Sequence, residues 1–337
     1  MSRPARRRSR HPSRGLQIFL ILILALLTGC VLVKAFFLRA PEQKTSQPPE
    51  DTAPAQSDGE LTPDDQAAQE ALKSHLERKE GFYTILLSGV DDGNGGSDTN
   101  ILVAVDTVEG YVYGVSIPRD SKAIIDGSAH KINYAYNKGG IGLLANTVEA
   151  QLGIPVDYTV CVDLRGFTAL VDAIGGVDFY VPLDMDYDDP IQDLSIHFSK
   201  GTQWLSGADA LKVVRFRHNN DGTGYGSEDL GRMATQQKFL KAVAKKMFSL
   251  DKLVSNLDEY VKIFDQYVET DLTVGNLAWL GGEVLKMGVD SIDFSTLPNM
   301  WRSPDLYLDP AETLTVINTY LNPYVEDRTA EDLNLPA

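Results

Sequence analysis

Residues 16–38 read LQIFLILILALLTGCVLVKAFFL, and this run constrains the chain more than any other segment. Its 23 positions, at ~1.5 Å per residue, make roughly 34 Å of helix, enough to cross a bilayer. Six arginines precede it, and residues 1–39 contain no Asp or Glu. The positive-inside rule therefore predicts a basic cytoplasmic tail over 1–15, a transmembrane helix over 16–38, and the remainder outside the cell. A cleaved signal peptide would need a shorter apolar run ending in small residues. Leu27-Thr28-Gly29-Cys30 resembles a lipobox, but Val-Leu-Val follows Cys30 where polar residues are usual, so an uncleaved anchor is favoured.

The charge is split as sharply as the hydropathy. The chain has 31 Lys+Arg against 47 Asp+Glu, and eight of the basic residues lie in 1–39. Residues 40–337 therefore hold 23 basic and 47 acidic residues, a net of -24. Such a balance excludes a general nucleic-acid binder, which needs a basic footprint. Two cysteines, Cys30 and Cys161, exclude a disulfide framework and a Cys-based zinc site. The five histidines show no metal-ligand spacing.

Residues 39–60, rich in Pro, Gln and acids, read as a solvated linker. Thr62-Pro63-Asp64-Asp65 reads as a helix start, giving a stalk or accessory helix within 61–80 that runs to about Lys79. From there one domain spans 81–325, and 326–337 is a tail. YTILLSGV and NILVAVD are apolar strands, and 100–117 reads as a hairpin. DYTVCVDL, GVDFYVP and VDSIDFSTL are further strands; 140–152, 166–174, 228–249, 251–265 and 274–287 have helical character. Ser206-Gly207-Ala208-Asp209 is a capping box opening another helix. The pattern predicts an α/β fold, a mixed β-sheet with helices on both faces, preceded by one N-terminal transmembrane helix.

Four places look chemical. The loop SGVDDGNGGSDTN sets Asp91, Asp92 and Asp98 among four glycines. Asp, Asn and Gly are ordinary turn residues, but carboxylates gathered at a strand end are also hard oxygen ligands suited to Mg²⁺. SIPRD puts Arg119 where an apolar run meets a loop, and VVRFR spaces Arg215 and Arg217 by two, on one face if extended. DLGRMATQQ puts Arg232 and Gln236 four apart on one side of a helix. Any one of these arginines reads as a surface ion-pair partner. Four at the edges of apolar elements in an acidic protein point to an anion site, because guanidinium forks match phosphate oxygens.

The phrases ILLSGVD, SDTNILVAVD, VSIPRD, KINYAYNKGG, LVDAIGGVDFYVP, LSGADALKVVRFR and DLGRMATQQ run in order across roughly 83–240. Together they resemble the LytR-CpsA-Psr family, membrane-anchored bacterial enzymes that attach anionic glycopolymers to peptidoglycan. The resemblance implies that Asp91 and Asp98 hold Mg²⁺. It implies that Arg119, Arg215, Arg217 and Arg232 clamp a pyrophosphate with Gln236 alongside, Asp91, Asp98 and Arg119 forming the catalytic set. Lys131 is a weaker member of the phosphate shell, and Asp120 buttresses the arginine. Helices 140–152 and 166–174 are expected either to line a groove for a polyprenyl chain or simply to be core. The implied partners are an undecaprenyl-pyrophosphate-linked glycopolymer, peptidoglycan and membrane lipid, with no nucleic acid. Polyprenyl pyrophosphatase activity could accompany the transfer, and a non-catalytic lipid-pyrophosphate binder or envelope regulator is the rival reading.

Two positions depart from the family pattern. Gly96 stands where the family has an arginine two residues before the Asp of S-D-T, and Thr235 where it has one directly before Gln236. Lys131, His218 and Arg302 are candidates to supply the missing charge, and Gly96→Arg is expected to raise activity unless the backbone there demands glycine. The stretch NNDGTGYGSE also makes the loop between VVRFR and DLGR longer than the family pattern suggests.

Overall fold

The structure is a computed structural model that describes residues 39–44, 77–90, 96–191, 193–226, 228–247 and 257–336. The expected tail and transmembrane helix over 1–38, and the loop residues Asp91 and Asp92, lie outside the described residues. No helix among the described residues is long and apolar enough to cross a membrane.

Strands β1 (Phe82–Val90), β2 (Ser97–Asp106) and β3 (Tyr111–Ile117) form an antiparallel meander, as the sequence predicts. The hairpin β4 (Lys122–Ile125) and β5 (Ser128–Lys131) leads into α1 (Asn133–Leu152), and β6 (Tyr158–Asp163) returns parallel to β1. Next come α2 (Leu164–Ala173), β7 (Val177–Val181), the hairpin β8 (Met185–Asp189) and β9 (Leu194–Phe198), and β10 (Gly201–Leu205), which pairs with β7. Helices α3 (Gly207–Arg215), α4 (Glu228–Met247) and α5 (Leu257–Tyr267) precede β11 (Val268–Thr270) and α6 (Val274–Met287). Strand β12 (Ile292–Thr296) pairs parallel with β3, and the hairpin β13 (Asn299–Arg302) and β14 (Asp305–Leu308) is followed by α7 (Pro310–Val316). The main sheet has the order β11-β6-β1-β2-β3-β12.

The central strands are apolar throughout because both faces of the sheet are covered. Phe82, Leu86, Leu102 and Val115 pack with Leu144 and Val148 of α1 on one face. Tyr83, Val105 and Val112 pack with Leu280 and Val284 of α6 on the other. The mixed sheet with helices on both faces is thus as expected. A separate core of Phe179, Ile196, Phe216 and Phe239 joins α2, the short strands, α3 and α4.

Three boundaries differ from expectation. Residues 39–44 are docked rather than solvated. Asn276 Nδ2 donates to the Arg39 carbonyl at 3.0 Å, Tyr158 Oη donates to Glu42 O at 2.8 Å, and Gln43 Nε2 donates to Lys79 O and Phe82 O. The attraction is a buried carboxylate. Asp157 is 1% exposed and accepts from Lys44 N at 2.9 Å, from both Nη atoms of Arg78 at 2.7 Å, and from Thr84 N at 2.9 Å. A polar composition conceals such docking, since backbone groups of any sequence can serve it.

Residues 61–76 of the expected accessory helix lie outside the described residues, and the expected end near Lys79 is not helical. Residues 77–79 are extended, with Val325 N donating to Glu77 O and Lys79 N to Pro323 O. Finally, 326–336 is no loose tail. Leu333 and Leu335 pack on the first core and Asn334 N donates to Gln151 O. Described residues outside 81–325, namely 39–44, 77–80 and 326–336, therefore also pack on the domain.

Candidate active site

The C-terminal ends of β1 and β6, the start of β2, α2, the β8–β9 hairpin and the facing sides of α3 and α4 enclose a cleft of about 640 Å³. Its lining is of two chemical kinds. Asp98, Arg119, Arg215, Arg217, Arg232 and Gln236 supply polar groups, whereas Phe167, Leu170, Leu194, Ile196, Leu211 and Phe239 supply an apolar surface. Six of the eight sequence-predicted residues thus meet in one place. Asp91 lies outside the described residues, and Lys131 is not among the lining.

Local structure explains the gathering. The Ser206 hydroxyl caps α3 by accepting from Asp209 N, and the helix stops at Arg215 because Phe216 turns extended, with ψ 136°. Phe216 is 1% exposed, so it plunges into the core while Arg215 and Arg217 on either side of it reach the cleft. On α4, Arg232, Gln236, Phe239 and Leu240 follow the i, i+4, i+7, i+8 spacing and present one face to the same cleft. Gln236 Nε2 donates to Val214 O at 3.1 Å, tying α4 to the end of α3.

Arg119, following β3, forms an ion pair with Asp98 of β2. Its Nε stands 3.7 Å from Asp120 Oδ2, and Lys131 Nζ donates to Asp120 Oδ1 at 2.8 Å. Burial alone would raise the Asp120 pKa. The hydrogen bond from Lys131 and the charges of Arg119, Lys131 and Arg217 outweigh it and hold the carboxyl below its ordinary value. Asp120 thus sits against the arginine as expected, whereas Lys131 is spent on Asp120 and half-exposed.

The two apolar helices separate into their alternative roles. Phe167 and Leu170 of α2 line the cleft, but Leu144, Val148 and Leu152 of α1 are core beneath the sheet. Sequence reasoning missed the β8–β9 hairpin, whose Tyr187, Leu194 and Ile196 line the cleft. Their alternation with Asp186, Asp188, Ser195 and His197 was the available signal.

Gly96 needs its glycine. Its φ is +132°, and a Cβ there would stand 3.1 Å from Asn137 Oδ1. An arginine at this position would be strained, so the expected gain from Gly96→Arg is withdrawn. Of the candidate substitutes, only His218 lines the cleft, while Arg302 stacks over Tyr307 at 5.4 Å on the β13–β14 hairpin. The other departure, Thr235, is buried, its hydroxyl 2.7 Å from Tyr225 Oη of the long loop.

The donor chemistry suits a hard cation. Asp98, 48% exposed, offers to the cleft a carboxylate whose partner is Arg119. No cluster of three or more His, Cys, Asp or Glu ligands occurs among the described residues. Mg²⁺ commonly takes only one or two carboxylates and fills its shell with water and substrate phosphate, so this sparse set fits it.

Known proteins resemble this chain in sequence and in fold. The chain is 38% identical over 177 residues to the polyisoprenyl-teichoic acid–peptidoglycan teichoic acid transferase TagU of Bacillus cereus strain ATCC 14579, covering 51% of this chain and 55% of that protein. It is 32% identical over 248 residues to TagV of Bacillus subtilis strain 168, a transferase of the same description, covering 71% of this chain and 61% of that one. The chain therefore spans little more than half the length of these curated relatives. The crystal structure of B. subtilis TagV superposes with a TM-score of 0.60 at 30% identity, over 72% of this chain and 96% of that one. A structure of TagT bound to LIIa-WTA superposes with a TM-score of 0.55 at 26% identity, covering 70% and 88%. The profile of the LytR_cpsA_psr family matches residues 51–322, and with the fold in agreement, the chain belongs to the LytR-CpsA-Psr family.

Proposed function

We propose that this protein is a membrane-anchored, Mg²⁺-dependent phosphotransferase that moves an anionic glycopolymer from an undecaprenyl-pyrophosphate carrier to peptidoglycan. One observation carries the reading: four arginines and Asp98 line the same cleft as an extended apolar surface, a lining matched to a diphosphate attached to a long hydrocarbon. The relatives named as teichoic acid transferases, and TagT with its bound LIIa-WTA, support a glycopolymer donor and a peptidoglycan acceptor. The apolar run at 16–38 supports an anchor with the cleft outside the cell.

In this reading Arg119, Arg215, Arg217 and Arg232 hold the diphosphate, and Phe167, Leu170, Leu194 and Ile196 receive the prenyl chain. A peptidoglycan sugar hydroxyl attacks the phosphorus bonded to the glycan. The bond from that phosphorus to the bridging oxygen breaks, and undecaprenyl phosphate leaves with the bridging oxygen. The hydroxyl proton passes to a carboxylate, Asp98 or Asp91. The guanidinium groups stabilise charge spreading over the phosphoryl oxygens, without reorganisation at the moment of reaction. Mg²⁺, held by Asp98 and Asp91, would add Lewis-acid stabilisation of the same charge. Water in place of the sugar hydroxyl would give polyprenyl pyrophosphatase activity.

The test is a transfer assay with the full chain in detergent, a lipid-linked glycopolymer and a peptidoglycan acceptor, with and without Mg²⁺. Release of undecaprenyl phosphate should require the metal and be lost in Arg217→Ala. Gly96 in place of a guanidinium motivates the second reading, a non-catalytic lipid-pyrophosphate binder. Tight binding with no release in any Mg²⁺ concentration would establish that reading instead.

A further inference from the structure

We propose that Tyr225, on the long loop between α3 and α4, is a positioning residue for the arginines of the cleft, acting through Phe216 and Thr235. The inference rests on the diphosphate reading of the cleft. Tyr225 is not part of the cleft lining. Its ring lies against Gly231, where a Cβ would fall 2.3 Å from Tyr225 Cγ, so the helix admits the ring only because position 231 has no side chain. The ring meets Phe216 edge-on, with centroids 5.7 Å apart.

Thr235 Oγ1 stands 2.7 Å from Tyr225 Oη, either hydroxyl being able to donate, and 3.1 Å from Gly231 O one turn earlier on the helix. Burial raises the Tyr225 pKa, more than the bond to Thr235 lowers it, so the phenol stays protonated.

These two contacts reach both arms of the anion site. Phe216 separates Arg215 from Arg217, and Thr235 lies between Arg232 and Gln236 on α4. The same loop is itself held. Asn219 Oδ1 accepts from Asp186 N at 2.7 Å and Asn220 Oδ1 accepts from Asp188 N at 2.6 Å, so the loop is clasped to the edge of β8. His218 pairs with Gly224 across the loop. One clasped side chain thus joins the bond from Gln236 to Val214 O in holding the end of α3 against the face of α4. Guanidinium groups on both elements must close on one diphosphate, and a misplacement of about 1 Å in a catalytic site can cost roughly a hundredfold in rate.

The experiment uses the full chain in detergent micelles and two probes, geranylgeranyl pyrophosphate and geranylgeraniol, with melting temperature measured alongside. Tyr225→Ala should weaken pyrophosphate binding by roughly ten- to a hundredfold, the worth of one hydrogen bond to a charged group. Tyr225→Phe and Thr235→Val should each weaken it about three- to tenfold, the worth of one hydrogen bond, and the double variant should add nothing. Geranylgeraniol affinity should hold in all of them. Should Tyr225→Ala fail to fold, the Phe and Val variants decide the matter. If both probes weaken together and in step with melting temperature, Tyr225 is packing and nothing more. Arg217→Ala separates the two levels of the argument. If it loses the pyrophosphate while the Tyr225 variants keep it, the positioning role is wrong and the diphosphate site stands. If it too binds as wild type does, the diphosphate reading falls, and the positioning role with it.

Discussion

Two Arg–Asp pairs stand at opposite ends of the central sheet and behave as opposites. At the start of β1, Arg78 grips Asp157 with both Nη atoms at 2.7 Å, and the two side chains are 10% and 0% exposed. Thr84 and Lys44 supply further donors, so the carboxylate is saturated. At the far end of β1 and β2, Arg119 meets Asp98 with the side chains 24% and 48% exposed. Here Asp98 faces the cleft. A saturated, buried pair can only hold the fold. A half-open pair can exchange its partners for a ligand's, because little is lost when water or phosphate replaces either group.

The sharpest way to break this comparison is to remove the arginine at each end. Arg78→Ala leaves a buried carboxylate without its counter-charge, and chemical denaturation should show a loss of about 3–5 kcal/mol. Arg119→Ala should change stability by less than about 1 kcal/mol, as for exposed pairs. Equal destabilisation by both would erase the distinction. Binding should reverse the order: Arg119→Ala and Arg217→Ala should each lose about 1.5–3 kcal/mol of polyprenyl-pyrophosphate affinity by titration calorimetry, while a folded conservative variant such as Arg78→Lys loses none.

A smaller effect tests the backbone at the cleft end. Gly96→Ala should cost about 1 kcal/mol or more because φ is +132°, and Gly96→Arg should not raise turnover. A stable and faster Gly96→Arg would show that the strand end relaxes. The smallest effect concerns Asp120. Its folded carboxyl titrates below the usual 3.8, so its pairing contributes fully above that value and is lost as pH falls through the lower folded value. Lys131→Met should raise that titration, visible by carboxyl NMR, and slightly reduce stability near neutral pH while leaving stability below the folded value unchanged.

Legibility in the sequence followed the same division. The meander and the parallel strand β6 were readable because strands buried on both faces are apolar runs. Arg232 and Gln236 were readable from helical spacing, and Arg215 and Arg217 from the spacing of two around an apolar Phe216. The hairpins β4–β5, β8–β9 and β13–β14 were not read, since their short polar strands gain their order from what they pack against. Nor was the docking of 39–44, which depends on Asp157, more than a hundred residues away. Local pattern reports burial well, but it is silent on partners brought together by topology. Gly96 shows the same limit: the family pattern flagged a missing charge, and only the backbone angle revealed why an arginine cannot simply be restored.

The docked segment 39–44 has a consequence for how a lipid is handled. Arg39 is fastened beside Asn276, on the side of the domain where β1 and β6 begin, whereas the arginines gather where those strands end. From Phe82 to Ser88 the strand covers roughly 20 Å at ~3.3 Å per residue. With an anchor at 16–38, no slack chain separates bilayer and domain, so the cleft could not be lowered to the headgroups on a tether. The carrier would instead have to be drawn out of the bilayer, its isoprene units partitioning from hydrocarbon into Phe167, Leu170, Leu194 and Ile196. Each buried CH₂ is worth about 0.8 kcal/mol in either solvent, so the exchange is nearly balanced only while the protein surface replaces the lipid contacts unit for unit. Occupancy of the cleft should then depend on the length of the prenyl chain, as an extraction equilibrium does.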